Sequence, residues 1–379
     1  MVYVTLRQSP QYRQISMEEL LFGDNTSTFI NGNETNTRTY VVERPSERLM
    51  RSIDTAALTR CLMEFNQRTA PLREKKRSEL YYTFYIPKHS GGLRRIDAPN
   101  EELMTALREL KMIFETKFHA LCHTNAFAYI KNRSTIDAVK KHQKNESRWF
   151  AKYDLHNFFG STTLKYVSKM FSMVFPFSEL MKYPAGKAEL ETALSLCFLN
   201  GHLPQGTPIS PLITNIMMIP FDHALSKKLH EEGEQNFVVT RYADDFIISS
   251  RYSFRFRGVE QTIKDTLKSF GAPFNINSEK TRYGSVTGSN WNLGVMLNKD
   301  NEITIGCEKH RQYRSMLFHY AEDKKKGISW PIEDVMMMRG ILSYWRMVEG
   351  DQPVNECAAS ISRKTGVNVL RAIKDDLRS

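Results

Sequence analysis

The segment Arg241-Tyr242-Ala243-Asp244-Asp245-Phe246-Ile247-Ile248 sets two adjacent carboxylates between two short apolar stretches, Asn236 to Tyr242 and Phe246 to Ser250. Aspartate is a common turn residue, so the pair alone reads equally well as a solvated turn. A third carboxylate changes the weighing. Asp154 lies at the end of the aromatic, apolar run Trp149 to Leu155 and just ahead of Phe158-Phe159, where burying an unpaired carboxylate is costly and a cation is expected beside it. If the strand carrying Asp154 pairs beside the Asp244-Asp245 hairpin, three carboxylates converge with no His or Cys among them. Hard oxygen donors of this kind select Mg²⁺ or Mn²⁺ over zinc. A pair of such ions suits in-line phosphoryl transfer, one acidifying an attacking 3′-hydroxyl and one bridging a triphosphate and stabilising the leaving pyrophosphate. That is a polymerase chemistry.

The elements that must position these groups follow from pattern. Leu80 to Pro87 and Leu93 to Pro99 read as a β-hairpin around the basic tip Lys88-His89-Ser90-Gly91-Gly92. Leu103, Leu107, Leu110 and Phe114 share one face of a helix over Glu101 to Phe118. Further helices are expected over 46–67, 164–175, 189–199, 212–231, 305–320 and 332–348, with a Gly- and Pro-dense loop at 201–211 and an Asn-, Thr- and Gly-rich loop at 22–40.

Composition bounds the partner. The 379 residues carry 53 Lys and Arg against 42 Asp and Glu, a net charge of +11, which favours a polyanion such as nucleic acid. Residues 71–150 hold 16 basic and 9 acidic side chains, seven of the eleven excess charges. The 41% hydrophobic content excludes wholesale disorder. No uncharged apolar run reaches the roughly 20 residues needed to cross a bilayer and the N-terminus lacks a secretory h-region, so a cytoplasmic protein without a membrane partner is expected. The five scattered cysteines show no zinc spacing and read as reduced core residues.

Seven blocks in order carry a resemblance to bacterial reverse transcriptases of the retron, group II intron and defence-associated lineages. They are Ile86-Pro87-Lys88 with Gly91 to Pro99, Asn125 to Ser134, Asp154-Leu155-His156-Asn157-Phe158-Phe159, Leu203-Pro204-Gln205-Gly206 to Leu212, Tyr242-Ala243-Asp244-Asp245, Asn277 to Thr281, and Asn292-Leu293-Gly294-Val295. The resemblance implies an α+β right-hand polymerase: an N-terminal extension over 1–79, fingers and a palm with a small antiparallel sheet over 80–298, and a helical thumb with a C-terminal tail over 299–379. It implies an RNA-directed DNA polymerase that uses two Mg²⁺ (Mn²⁺ as substitute), dNTPs and an RNA template, held as an RNA/DNA hybrid.

Residue by residue, the resemblance makes Asp154, Asp244 and Asp245, with Leu155, the metal ligands and Lys280 the general acid for pyrophosphate. Lys88 and Arg94 grip the triphosphate, Phe159 crowds a ribose 2′-hydroxyl, and Gln205 lines the nucleotide pocket. Leu293-Gly294 is the primer grip, Arg133 a template contact, and Lys309, Arg311, Arg314, Arg339 and Arg346 basic groups of the thumb. The family's Asn-Ala-x-x-His element is replaced here by Asp137-Ala138-Val139-Lys140-Lys141-His142, and the residues beyond Gly350 are too few for the extra domains of an intron-encoded protein. The expected role is copying a dedicated noncoding RNA in a bacterial cytoplasm, in phage defence beside a neighbouring effector. The alternatives are untemplated or protein-primed DNA synthesis, with Tyr313, Tyr320 or Tyr344 as primer, and a non-catalytic RNA-binding scaffold.

Overall fold

The computed structural model describes residues 53–88, 91–231, 236–287 and 294–378, with the backbone of two paired dipeptides, Thr26–Ser27 and Tyr40–Val41. Apart from Thr26, Ser27 and Tyr40, which are strand-paired where a loop is expected, the 22–40 stretch lies outside the described residues, as do residues 46–52 of the first expected helix, the hairpin tip His89-Ser90 and Leu293. The chain forms two discontinuous compact units: Met1–Tyr129, Leu155–Lys228 and Gln261–Asn275 in the first, and Ile130–Asp154, Leu229–Glu260 and Ile276–Ser379 in the second.

In the first unit, α1 (Thr55–Arg68) starts where the Asp54 carboxylate accepts from the Ala57 N–H at 2.8 Å, which satisfies one orphan donor of the first turn. The expected hairpin forms from β1 (Tyr81–Pro87) and β2 (Leu93–Pro99) in antiparallel register, with Ile86 opposite Arg94. The hairpin exposes Tyr82, Phe84, Tyr85 and Leu93, while Asp97, Ala98 and Pro99 at its base are buried. α2 (Glu101–Thr116), capped by Asn100, buries the Leu103, Leu107, Leu110 and Phe114 face that its spacing demanded. Phe114 sits edge-on to Phe177 at 5.2 Å, and Phe118 stacks on Phe177 at 4.8 Å.

Several helix boundaries differ from expectation: the 46–67 helix begins only at Thr55, after its Asp54 cap, and the 305–320 helix spans Cys307–Lys325. The 164–175 helix ends at Phe171, ahead of Pro176. The 189–199 helix spans Pro184–Ser195, because Pro184 lies where a first-turn N–H has no partner anyway. The 212–231 helix is two, Ser210–Met217 and Ile219–Glu231, since Pro220 has no N–H to continue the ladder.

In the second unit, α3 (Thr135–Lys144) packs against a four-stranded antiparallel sheet. The sheet is built from β3 (Trp149–Asp154), β4 (Val238–Tyr242), β5 (Asp245–Ser250) and β6 (Arg282–Ser285), in the order β4-β5-β3-β6. Val139 of α3 joins Phe150, Ile247, Val295 and Leu297 in one apolar cluster. The helices α4 (Cys307–Lys325), α5 (Ile332–Glu349), α6 (Asp351–Thr365) and α7 (Val369–Asp376) share a second core that includes Leu317, Met338, Leu342, Trp345, Val354 and Ile361. The stretch beyond Gly350 is thus part of a packed bundle. Glu349 ties it to the end of the short strand Ile303–Thr304, accepting from Thr304 Oγ1 at 2.5 Å, the Ile305 N–H at 2.8 Å, Trp345 Nε1 at 2.6 Å and His310 Nε2 at 2.9 Å. These donors hold its carboxyl below the usual range although burial alone pushes it up. All five cysteines are free; Cys197 is buried but Cys307 is exposed, so the core reading fails there.

His142, the departure noted in the sequence, is a sheet residue in effect. Its Nε2 lies 2.8 Å from Thr240 Oγ1 on β4 and its Nδ1 2.6 Å from Ser249 Oγ on β5. Ser249 donates its own proton to Ser147 at 2.8 Å, which leaves it to accept from an Nδ1–H while Thr240 donates to Nε2. Burial, with Lys141 adding to it, takes the imidazole pKa down to about 3. A depressed histidine contributes stability that is full above its unfolded value of 6.5 and is lost as pH falls. Denaturant titrations between pH 7.5 and 5 should therefore show stability falling by up to about 1.4 kcal/mol per pH unit below 6 from this group, and His142→Gln should flatten that slope.

Candidate active site

The register that pairs Trp149 with Ser250 brings Asp154 directly opposite Asp245, so the two side chains stand on one face of the sheet. Asp244 occupies the turn between β4 and β5 beside them. That turn forces Ala243 to φ 58°, a left-handed conformation that a residue with a Cβ adopts only when its surroundings hold it there. Fully buried Arg241 provides part of that hold, its guanidinium donating to the Ala243 carbonyl at 3.1 Å.

Two lysines face the carboxylates. Lys152, two residues before Asp154 on the same face of β3, pairs its Nζ with Asp245 Oδ2 at 2.8 Å. Lys280, on the single turn Ser278–Lys280, reaches Asp154 Oδ2 at 3.2 Å. The turn is itself docked on the strand end, where the Asn277 N–H donates to the Asp154 carbonyl at 2.8 Å. The sequence-derived quartet Asp154, Asp244, Asp245 and Lys280 is therefore one cluster.

Electrostatics within it are unfavourable as they stand. Burial first, then Asp245 and Asp154, push the Asp244 carboxyl up to about 6, against a backbone hydrogen bond and Lys280. Burial raises Asp245 as well, opposed by Lys152. Asp245 Oδ1 is buried without a hydrogen-bond partner. Among the described residues no three His, Cys, Asp or Glu side chains close into a ready metal shell; lysines sit on Oδ2 of both Asp154 and Asp245. The donor set still fits a hard divalent cation. It is all carboxylate, it offers a buried oxygen with no partner, and its mutual repulsion is what a cation relieves.

The other candidates lie in the first unit. Leu155, the residue after Asp154, is buried. Phe159 is 9% exposed and packs edge-on to Phe158 at 5.6 Å. Gln205 is anchored by its backbone, its carbonyl accepting from the Asp97 N–H of β2 at 2.8 Å. The same loop is tied at its other end, where the Leu203 N–H donates to the Thr162 carbonyl at 3.1 Å and Thr162 Oγ1 donates to the Phe158 carbonyl at 2.8 Å. Hairpin base, Gln205 and the Phe159 turn are thus joined through one loop. Lys88 and Arg94 are exposed on the outer hairpin, where the Lys88 N–H donates to the Gly92 carbonyl at 2.9 Å.

Three residues that complete these sites escaped sequence reasoning: Lys152, Arg241 and Asp97, which accepts from Thr83 Oγ1 at 2.6 Å and Arg95 Nε at 2.9 Å. The signal was a charged residue at an inward position of a strand. Tyr344 and Tyr320, the suggested priming hydroxyls, are both engaged, donating to the Gly294 carbonyl at 3.1 Å and to Asp376 at 2.8 Å. Tyr313 packs against Trp345 at 6.0 Å.

Two substitutions test this geometry. Gly206 has φ +121°, and a Cβ there would lie 2.8 Å from the Asp97 carbonyl oxygen and 2.9 Å from Ile96 Cγ2, so Gly206→Ala should cost about 1–3 kcal/mol in denaturant titrations. Asp244, raised from 3.8 to about 6, makes the folded state bind more protons than the unfolded one in that window, so stability falls as pH rises through it. Metal-free Asp244→Asn should therefore be more stable than the wild type at pH 7, by up to about 3 kcal/mol, as read by urea unfolding in chelator.

Residues 86–317, more than half of the chain, match the family described as "Reverse transcriptase (RNA-dependent DNA polymerase)". The chain is 27% identical over 310 residues to the retron Ec83 reverse transcriptase of Escherichia coli, covering 79% of this chain and 92% of that protein. It is 28% identical over 269 residues to the retron Ec73 reverse transcriptase of the same species, covering 70% and 82%. With the retron Mx65 reverse transcriptase of Myxococcus xanthus it shares 26% over 300 residues, 74% of this chain and 64% of that one. Among solved structures it is similar to apo telomerase from Candida tropicalis, with a TM-score of 0.44 and 13% identity over 78% of this chain, and it spans 61% of that telomerase. The chain belongs to the reverse transcriptase family, the RNA-dependent DNA polymerases.

Proposed function

We propose that the DNA synthesis of this family is carried out here at Asp154, Asp244 and Asp245, which would hold two Mg²⁺ together with the Leu155 carbonyl. The observation that carries this reading is the buried, unpartnered Asp245 Oδ1 set opposite Asp154, in a cluster whose third carboxyl is pushed up first by burial and then by its acidic neighbours. Bound there, the ions would supply Lewis acidity to a primer 3′-hydroxyl and to the departing pyrophosphate. The protein's own groups do the rest. Lys280, 57% exposed at its side chain, is placed to exchange Asp154 for a phosphate oxygen and to deliver a proton from Nζ. Lys88 and Arg94, on an exposed hairpin, bind the triphosphate of a dNTP as charge-assisted donors. Phe159 bars the 2′-hydroxyl of a ribonucleotide, and the backbone at Gln205, pressed on β2, sets the wall of the nucleotide pocket.

In this reading 80–298 serves as fingers and palm and the α4–α7 bundle as the thumb, whose basic residues cradle an RNA/DNA hybrid by shape and phosphate contact. The similarity to retron reverse transcriptases supports copying of RNA into DNA; in this reading the template is a dedicated noncoding RNA in a bacterial cytoplasm, and the setting is phage defence beside a neighbouring effector. Among the described residues no helix is long and apolar enough to cross a membrane.

Purified protein given a primed RNA template, Mg²⁺ and dNTPs should make template-length DNA, make none with rNTPs, and lose at least about a thousandfold in rate in Asp244→Ala. Synthesis that survives Asp244→Ala would overturn the assignment. Protein isolated with its own cellular RNA should label that RNA's complement in preference to an added template.

A further inference from the structure

The lysine beside Asp245 has a geometry that the three-aspartate reading does not use. Lys152 Nζ is 2.8 Å from Asp245 Oδ2, and both side chains are mostly buried, at 23% and 20% exposure. The contact takes one oxygen of the carboxylate and leaves the other, Oδ1, buried and without a partner. Lys152 cannot easily swing away. It projects from the interior of β3, a strand paired on both sides, with Ile247 of β5 opposite it on one side and Arg282 of β6 on the other. The Arg282 guanidinium is itself engaged elsewhere, donating to the Glu279 and Thr281 carbonyls at 2.6 and 2.8 Å. Lys280, by contrast, is 57% exposed on a single turn and can leave Asp154.

A carboxylate tied through one oxygen can give a metal ion only the other. Ca²⁺ draws much of its affinity from carboxylates that bind through both oxygens in a shell of six to eight ligands, whereas Mg²⁺ takes six ligands in a tight octahedron, one oxygen from each carboxylate. We propose that Lys152 is a positioning residue that holds Asp245 to one-oxygen coordination and thereby sets the site's preference for Mg²⁺ over Ca²⁺. The proposal rests on the reading of Asp154, Asp244 and Asp245 as a metal site.

The test is metal binding by the full-length protein, read as Tb³⁺ luminescence displaced by Mg²⁺ or by Ca²⁺. The wild type is compared with Lys152→Met, Lys152→Gln and Asp244→Asn, with thermal melting to confirm folding. Lys152→Met should raise Ca²⁺ affinity at least tenfold relative to Mg²⁺, because Asp245 is released to bind through both oxygens. Lys152→Ala, which leaves room for water, carries the same expectation and serves where the methionine variant does not fold. Lys152→Gln retains an N–H for Oδ2 without the charge and should keep the wild-type ratio within threefold.

A ratio unchanged in Lys152→Met or Lys152→Ala overturns the proposal. So does a glutamine variant that behaves like them, since the lysine would then act through its charge alone. Wild-type Tb³⁺ binding that is indifferent to Asp244→Asn would instead sink the metal-site reading itself.

Discussion

The pairing of Asp154 with Asp245 across β3 and β5 is the constraint on which the second unit is organised. It brings like charges together inside a sheet, where they repel and lose solvent, and it does so because the apolar faces of both strands allow only this register. A slip of one residue would turn Ile247 and Phe150 out of the cluster they share with Val139, Val295 and Leu297. Hydrophobic burial thus fixes a charge arrangement that electrostatics alone would reject. The strained Ala243, the buried Arg241 and the two lysines are the local responses to that arrangement, each holding or neutralising part of it.

The first unit solves a different problem with the same economy of contacts. Its loop from Leu203 to Gly206 is pinned at one end to the turn that carries Phe159 and at the other to the base of the hairpin that carries Lys88 and Arg94. The pins are backbone hydrogen bonds, which fix position without regard to side chain. The one residue-type requirement falls on Gly206, whose backbone lies too close to Asp97 and Ile96 for any Cβ. The exposed hairpin that carries Lys88 and Arg94 is thereby mounted on a base fixed by backbone hydrogen bonds.

Legibility in the sequence followed physical cause. The aspartate turn and the α2 face were readable because their signals are local: two carboxylates between apolar strands, and leucines at helical spacing. The pairing of β3 with the hairpin was an inference from cost, since a buried Asp154 needed company. What escaped was non-local. Lys152 sits inside the aromatic, apolar run Trp149 to Leu155, and nothing near it in the chain announces Asp245, 93 positions away. His142 reads as a displaced family histidine, and only the sheet shows that Thr240 and Ser249 satisfy both its nitrogens. The break at Pro220 was readable and was missed because the apolar run on either side continues at helical spacing. The bundle helices after Gly350 were read only as a tail because half of their core partners lie in α4 and α5.

The central claim, that three aspartates form a two-ion centre, is tested most directly by counting Mn²⁺. The measurement is electron paramagnetic resonance titration of the full-length protein with an RNA template, a chain-terminated primer and the next dNTP. Two tightly bound ions per complex are expected in the wild type, with loss of at least one in Asp154→Asn, Asp244→Asn and Asp245→Asn. An unchanged count in these variants, or no tightly bound ion in the wild-type complex, would contradict that claim.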